Sequence, residues 1–260
     1  MRLRPLALAV ALAASTLLTG QPPARAATIT PLPAVLASGH PFATQKTATE
    51  LRNWGPGANN PGNCRANRSE ITGDASAVRL STTGATNDCT DIELPHTYPS
   101  VNGYVYEARM YISNFYQWMA YWAYGNNWPY QGEYDAVESD HGANYFSYHY
   151  APCSGSASSS EYSTNPWSYA CKSTLRTYSV NLTVGWHTID LAFGDHEASV
   201  YYDGNLFARV SGANVVNGPA NPVWLTFGTG SCNTTFNGNT CASGGQRSGY
   251  IAIQWLRMFT

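Results

Sequence analysis

Three carboxylates, Glu133, Asp135 and Glu138, stand within six residues of one another in the segment Trp128-Pro129-Tyr130-Gln131-Gly132-Glu133-Tyr134-Asp135-Ala136-Val137-Glu138. The chain has 260 residues and only 16 acids, so a Glu-x-Asp-x-x-Glu cluster has little chance of arising from composition alone. On a β-strand Glu133 and Asp135 point to one face, and Glu138, five positions on, points to the other. One bulged residue between Asp135 and Glu138 restores the parity and puts all three on one face. The Cα atoms of the two glutamates then lie roughly 13 Å apart, four steps of about 3.3 Å. Side chains leaning inward bring the carboxyls toward the roughly 5–5.5 Å of a retaining glycosidase; the roughly 6.5–9.5 Å of an inverting one suits a single strand face less well. Three carboxylates in one cleft repel, so at least one is pushed to hold a proton beside an ionised neighbour, as an acid and a nucleophile require. The same cluster could instead serve calcium, although calcium favours loop carbonyls as co-ligands, or be a solvated strand face.

The surroundings suit a carbohydrate. Seven of the fifteen residues from Tyr116 to Tyr130 are aromatic, and sugar rings present flat C–H faces that stack on aromatic planes; the same rings would also fill a sandwich core. His149, in Tyr148-His149-Tyr150, falls on the strand expected after the acid strand. Arg109 and Glu107 form a same-face polar pair, with Arg109 among the substrate-binding candidates and a plain ion pair as the alternative. The other histidines have no constellation around them, and there is no nucleophile elbow, phosphate loop or HExxH zinc motif.

The elements that must position these residues are strands. Gly and Pro number 23 and 15, aromatics make up 13% and charged residues 12%, a balance that fits an all-β exported protein. His187, Ile189, Leu191 and Phe193 alternate with Trp186, Thr188, Asp190 and Ala192 at period two. Gly194-Asp195-His196 turns the chain into Ala198–Tyr202, Asp203-Gly204 is a hairpin signal before Leu206–Val210, and Tyr250–Phe259 alternates again. A looser alternation runs from Tyr104 to Met110. No segment reads as a helix, and the expected fold is a β-sandwich of the jelly-roll kind, two large antiparallel sheets in one domain.

Residues 1–26 read as a secretory signal peptide: Arg2 and Arg4, an apolar stretch from Leu6 to about Leu18, then Ala24-Arg25-Ala26. The apolar stretch is shorter than the roughly 20 residues that span a bilayer, so the protein is expected to be secreted, with no membrane partner. Residues 27–45 are Pro/Ala/Thr-rich and read as a short pro-region or an N-terminal strand, leaving 46–260 as the sandwich domain. Without the leader, 11 basic residues face 16 acids, a formal charge of −5, the wrong sign for nucleic acid and awkward for a polyanionic polysaccharide. Six cysteines in an exported chain read as three disulfides; the local pairing 64–89, 153–171 and 232–241 is expected because each closes a short loop. Zinc lacks the C-x-x-C spacing it would need. Ser154–Ser160 reads as an exposed loop.

Gly103-Tyr104-Val105-Tyr106-Glu107-Ala108-Arg109, Trp118-Met119-Ala120-Tyr121-Trp122 and the segment from Trp128 to Glu138 together resemble the core signature of glycoside hydrolase family 16. Trp186-His187-Thr188, Val200 to Gly204 and Ile253 to Phe259 resemble that family's later strands, so the likeness runs from about Gly103 to the C-terminus. It implies a concanavalin-like jelly roll that cleaves β-linked polysaccharides with retention. It implies Glu133 as nucleophile, Asp135 as the carboxylate that tunes it and Glu138 as general acid/base. The spacing resembles the bulged subgroup, which includes β-1,3-glucanases and marine galactan hydrolases. The resemblance also implies Trp122 and Trp128 as cleft aromatics and His149 as the histidine near the carboxylates, with Trp118 and Tyr121 as packing or rim. Relatives that bind structural calcium often carry Asp where this chain has Gln254, so no metal and no cofactor are expected.

The expected function is therefore a secreted endo-glycosidase, acting as a monomer on a neutral β-glucan or galactan and most readily on a β-1,3-glucan. Two other classes compete. A lectin-like jelly roll would have no reason to bear the repulsion of three acids. A polysaccharide lyase using Tyr148 or His149 as base would need positive charge that this acidic chain lacks.

Overall fold

The computed structural model describes residues 42–54, 65–66, 68–83, 88–114, 117–128, 130–140, 143–150, 173–179, 182–212, 215–230 and 248–260. The segment read as a signal peptide (1–26), residues 27–41, Ser154–Ser160 and every cysteine but Cys89 lie outside the described residues. Cys89 is disulfide-bonded.

Period-two alternation is the organising force. In β7 (Val105–Ile112) Tyr106, Ala108, Met110 and Ile112 are all buried, while Glu107, Arg109 and Tyr111 between them are only partly so. Such a strand must cover one face with another layer. It lies in an eight-stranded sheet whose other members are β1 (Thr44–Thr47), β3 (Ile71–Gly73), β4 (Val78–Thr82), β12 (Gly185–Gly194), β13 (Glu197–Tyr202), β14 (Asn205–Ser211) and β16 (Gly249–Phe259). The order is β14-β13-β12-β7-β16-β4-β3, with β1 paired to β16. The second sheet, also of eight strands, contains β2 (Arg65–Ala66), β5 (Asp88–Glu93), β6 (Tyr98–Ser100), β8 (Trp118–Gly125), β9 (Glu133–Asp140), β10 (Ala143–Tyr150), β11 (Ser173–Ser179) and β15 (Gly218–Gly230). Its order is β11-β10-β9-β8-β15-β5-β2, with β6 on β15. All pairings are antiparallel except β2 beside β5.

The two inner faces make one continuous core. Ile189, Leu191, Ile251, Ile253 and Leu256 come from the first sheet, and Tyr121, Tyr134, Val137, Phe146, Tyr148, Leu225 and Phe227 from the second. Tyr121 stacks on Phe227 at 4.6 Å and Tyr134 on Tyr148 at 4.8 Å. Truncating any of the aliphatic members to Ala costs about 2–5 kcal/mol. The expected jelly-roll sandwich of two large antiparallel sheets is the observed fold.

Two features differ from the sequence reading. Ala48–Asn53 form a short helix, α1, closed by a capping box: the Glu50 backbone N–H donates to the Thr47 hydroxyl at 3.4 Å, and the Thr47 backbone N–H donates to the Glu50 carboxylate at 2.8 Å. The Thr-x-x-Glu signal is present in the sequence, but six residues carry too little hydrophobic period to announce a helix. The sheet also begins earlier than residue 46, because Thr44 and Gln45 already pair with Met258 and Arg257. The Asp203-Gly204 hairpin turn has the two positive φ angles (49° and 80°) of a type I′ turn.

Candidate active site

The acid strand β9 is the third strand of its sheet, between β8 and β10. Tyr134 lies opposite Tyr148 and points into the core, so Glu133 and Asp135 point outward. The ladder then slips: Asp135 pairs with Ser147 and Trp122, but Glu138 pairs with Tyr145 and Val137 with Tyr121. Ala136 is passed over in both pairings, which makes it the extra residue of a β-bulge. The bulge returns Val137 to the core and brings Glu138 onto the outward face with the other two acids. The parity repair expected from the spacing is therefore built into this strand.

Each acid meets its own donor. The Trp128 indole N–H donates to Glu133 Oε2. His149 Nε2 lies 3.1 Å from Asp135 Oδ2. The Ser147 hydroxyl donates to Glu138 Oε2 at 2.8 Å. Asp135, Glu138 and His149 are almost wholly buried, and one ligand-type atom from each lies within 4.8 Å of the others. Atoms at that spacing could hold a cation. Trp128 reaches Glu133 from the β8–β9 turn, where Gln131 N–H donates to Asn127 O at 3.0 Å and Asn127 N–H donates back to the Gln131 side chain at 2.8 Å. Gly132 closes that turn with φ 76°, and a Cβ there would press on the Tyr148 ring at 3.1 Å.

Burial pushes the Glu133 carboxyl up to about 8, and the negative charge of Asp135 adds to it. His149 and the Trp128 N–H pull the other way without cancelling the rise, and Glu138 raises it further. The rise falls on Glu133, and burial accounts for more of it than the crowding of the acids does.

Trp122 and Trp128 are both beside the acids. Trp122 stands opposite Asp135, nearly buried, with the Trp118 ring 5.5 Å from its own. Both rings lie over Gly228 of β15, where a Cβ would meet them at 3.0–3.1 Å, so the glycine makes room for an aromatic floor. Trp118 is thus part of the cleft face, while Tyr121 is core. Further along the same face, Tyr124 donates its hydroxyl to Glu93 of β5, and Trp224 donates its indole N–H to Asn126 at 2.5 Å.

Arg109 does not belong to this site. It sits on β7, in the other sheet, on the side facing away from the core. It donates to Thr188 Oγ1 at 3.2 Å and lies 5.9 Å from the Trp186 ring. Its register is set by β12 and β16, and the whole core separates it from the acids. The pairing expected with Glu107 is also absent: Glu107 is 3.7 Å from Arg257. Alternation gives the face of a residue but not the sheet its strand will join. The residues that sequence reasoning missed are Ser147, Tyr124, Glu93 and Gly228, whose cleft positions follow only from register.

No protein-family model matches the sequence, and no curated protein matches it. Solved structures do share the fold. The LamAcat structure from Zobellia galactanivorans is 16% identical, with a TM-score of 0.59 over 86% of this chain and 99% of that one. A laminarinase from a Flavobacterium species is 13% identical, with a TM-score of 0.56 over 85% and 100%. A glycoside hydrolase family 16 endo-glucanase from Bacteroides ovatus is 15% identical, with a TM-score of 0.54 over 83% and 93%.

Proposed function

We propose that this chain is a secreted member of glycoside hydrolase family 16 that cleaves internal linkages of a neutral β-linked polysaccharide, a β-1,3-glucan foremost, with retention. The observation that carries the reading is the bulge at Ala136, which gathers Glu133, Asp135 and Glu138 on one face beside Trp118 and Trp122. A strand that spends a bulge and three repelling carboxylates in one place gains nothing structural from them. The fold shared with a laminarinase and an endo-glucanase supports the same reading.

In this mechanism the Glu133 carboxylate attacks C1 of the sugar while Glu138 gives its proton to the departing glycosidic oxygen. Water then attacks C1, gives its proton to Glu138 and releases Glu133. Asp135, held by His149, sets the charge that Glu133 feels. The order of the two glutamates comes from the resemblance of the motif. The high position of Glu133 in the free protein favours the reverse order, with Glu133 as the acid. Trapping the intermediate decides between the two orders.

The lyase reading loses one of its two bases, because the Tyr148 ring is in the core with its hydroxyl accepting from Val216 N–H at 2.9 Å. A reducing-sugar assay over laminarin, lichenan, agarose, carrageenan and xylan tests the proposal. New reducing ends from laminarin with a rapid fall in chain length support it. An ultraviolet-absorbing unsaturated product, or binding without cleavage of any of the five, sinks it.

A further inference from the structure

We propose that Ser147 is a positioning residue that aims the Glu138 carboxyl at the leaving oxygen; this rests on the function proposed above. Its side chain is wholly buried in the strand beside the acids, with Oγ 2.8 Å from Glu138 Oε2. In register it faces Asp135, while Glu138 faces Tyr145. The contact is therefore diagonal, and it exists because the bulge at Ala136 shifts Glu138 onto the outward face. A bulge loosens the ladder where it occurs, so the residue just after it needs an anchor that a regular strand would supply by close cross-strand packing.

The chemistry of the anchor fits a group that must change protonation twice per turnover. A hydroxyl donates one proton to an oxygen lone pair, and a carboxyl offers such a lone pair whether ionised or protonated. Ser147 can hold Oε2 through both halves of the reaction, leaving Oε1 to give a proton to the glycosidic oxygen and to take one from water. Arg or Lys in this place would favour the ionised acid and oppose its first task. His149 is the partner of Asp135, which in the proposed mechanism makes no bond and carries no transferred proton, so a titratable partner does no harm there. The three acids thus receive donors suited to different duties.

The test compares Ser147→Ala with the wild type on laminarin and on an aryl β-glucoside with a good leaving group, with a crystal structure of the variant. An acid aimed wrongly should lower kcat on laminarin by about 10–100-fold with KM nearly unchanged. The glycosylation burst on the aryl substrate, which needs little proton donation, should fall by less than about threefold. Equal losses on the two substrates, a change in KM alone, or no loss would overturn the proposal. If the wild type cleaves no polysaccharide, the functional reading fails by itself, and the crystal structure still judges Ser147: Glu138 displaced from its place upholds the anchor, and Glu138 unmoved refutes it.

Discussion

The outward faces of the two sheets each carry crowded carboxyls, and they treat them differently. On the second sheet Glu133 is pushed up to about 8 by burial and Asp135. On the first, Asp190 is likewise pushed up to about 8 by burial and by Glu107, which lies directly across the ladder. A displaced titration therefore does not mark a working site. The surroundings do. Glu107 has the Arg257 guanidinium at 3.7 Å as a permanent countercharge, which makes that pair a structural feature. Glu133, Asp135 and Glu138 instead meet an indole, an imidazole and a hydroxyl, donors that orient a carboxyl without a permanent countercharge, and they lie beside the tilted Trp118–Trp122 pair on an outer face. Carboxyls meant to exchange protons are held by neutral or switchable partners.

The sharpest break between the faces is expected from the glutamates themselves. Glu133→Ala and Glu138→Ala should each lower kcat on laminarin by more than about 10³-fold, whereas Asp190→Asn should leave it within about twofold, since it touches no part of the proposed machinery. Comparable losses at Asp190 and Glu133 would erase the distinction.

Next in size is Asp135→Asn, with an expected loss of about 10–100-fold in kcat. Removing the negative charge beside Glu133 lowers its pKa toward the ordinary value, and Trp128→Phe, by removing a donor to the carboxylate, raises it further. The two variants should displace the same limb of the kcat/KM profile in opposite directions. If Glu133 works ionised, that limb is the acidic one, moving to lower pH in Asp135→Asn and to higher pH in Trp128→Phe. Movement of the alkaline limb would make Glu133 the acid.

A smaller effect concerns stability. Asp190 binds its proton more tightly folded than unfolded, so its contribution is complete below about pH 4 and is lost as pH rises toward about 8. Asp190→Asn cannot ionise, and should raise Tm at pH 9 by about 5 °C while changing it little at pH 4. A variant that melts lower than wild type at pH 9 would show that the Asp190–Glu107 pair stabilises the ionised protein. Smallest of all, Arg109→Ala should leave laminarin hydrolysis within about twofold, because its guanidinium serves Thr188 and Trp186 on the far sheet.

Much of this was written in the sequence because period and parity are local. The alternation of His187 to Phe193 and the turn at Asp203-Gly204 became β12 and the type I′ hairpin, and the odd spacing between Asp135 and Glu138 announced the bulge. What was hidden is non-local. Arg109 sits in a well-formed alternating strand, yet nothing within that strand says that β12 and β16, rather than β8 and β10, will flank it. Ser147 is one serine among many until register puts it diagonal to Glu138. The helix at Ala48–Asn53 is set by a capping box and two buried residues, Ala48 and Leu51, too short a pattern to outweigh its surroundings.

The central claim is that two glutamates on one bulged strand divide a double displacement between them, and chemical rescue by azide tests it most directly. With Glu138→Ala, an aryl β-glucoside should still load Glu133, deglycosylation should stall for want of a base, and azide should restore turnover and give the β-glycosyl azide. With Glu133→Ala, azide should attack in the nucleophile's place and give the α-glycosyl azide. The β-azide from the Glu133 variant and the α-azide from the Glu138 variant would reverse the roles of the two residues, and no rescue of either would contradict the double displacement itself.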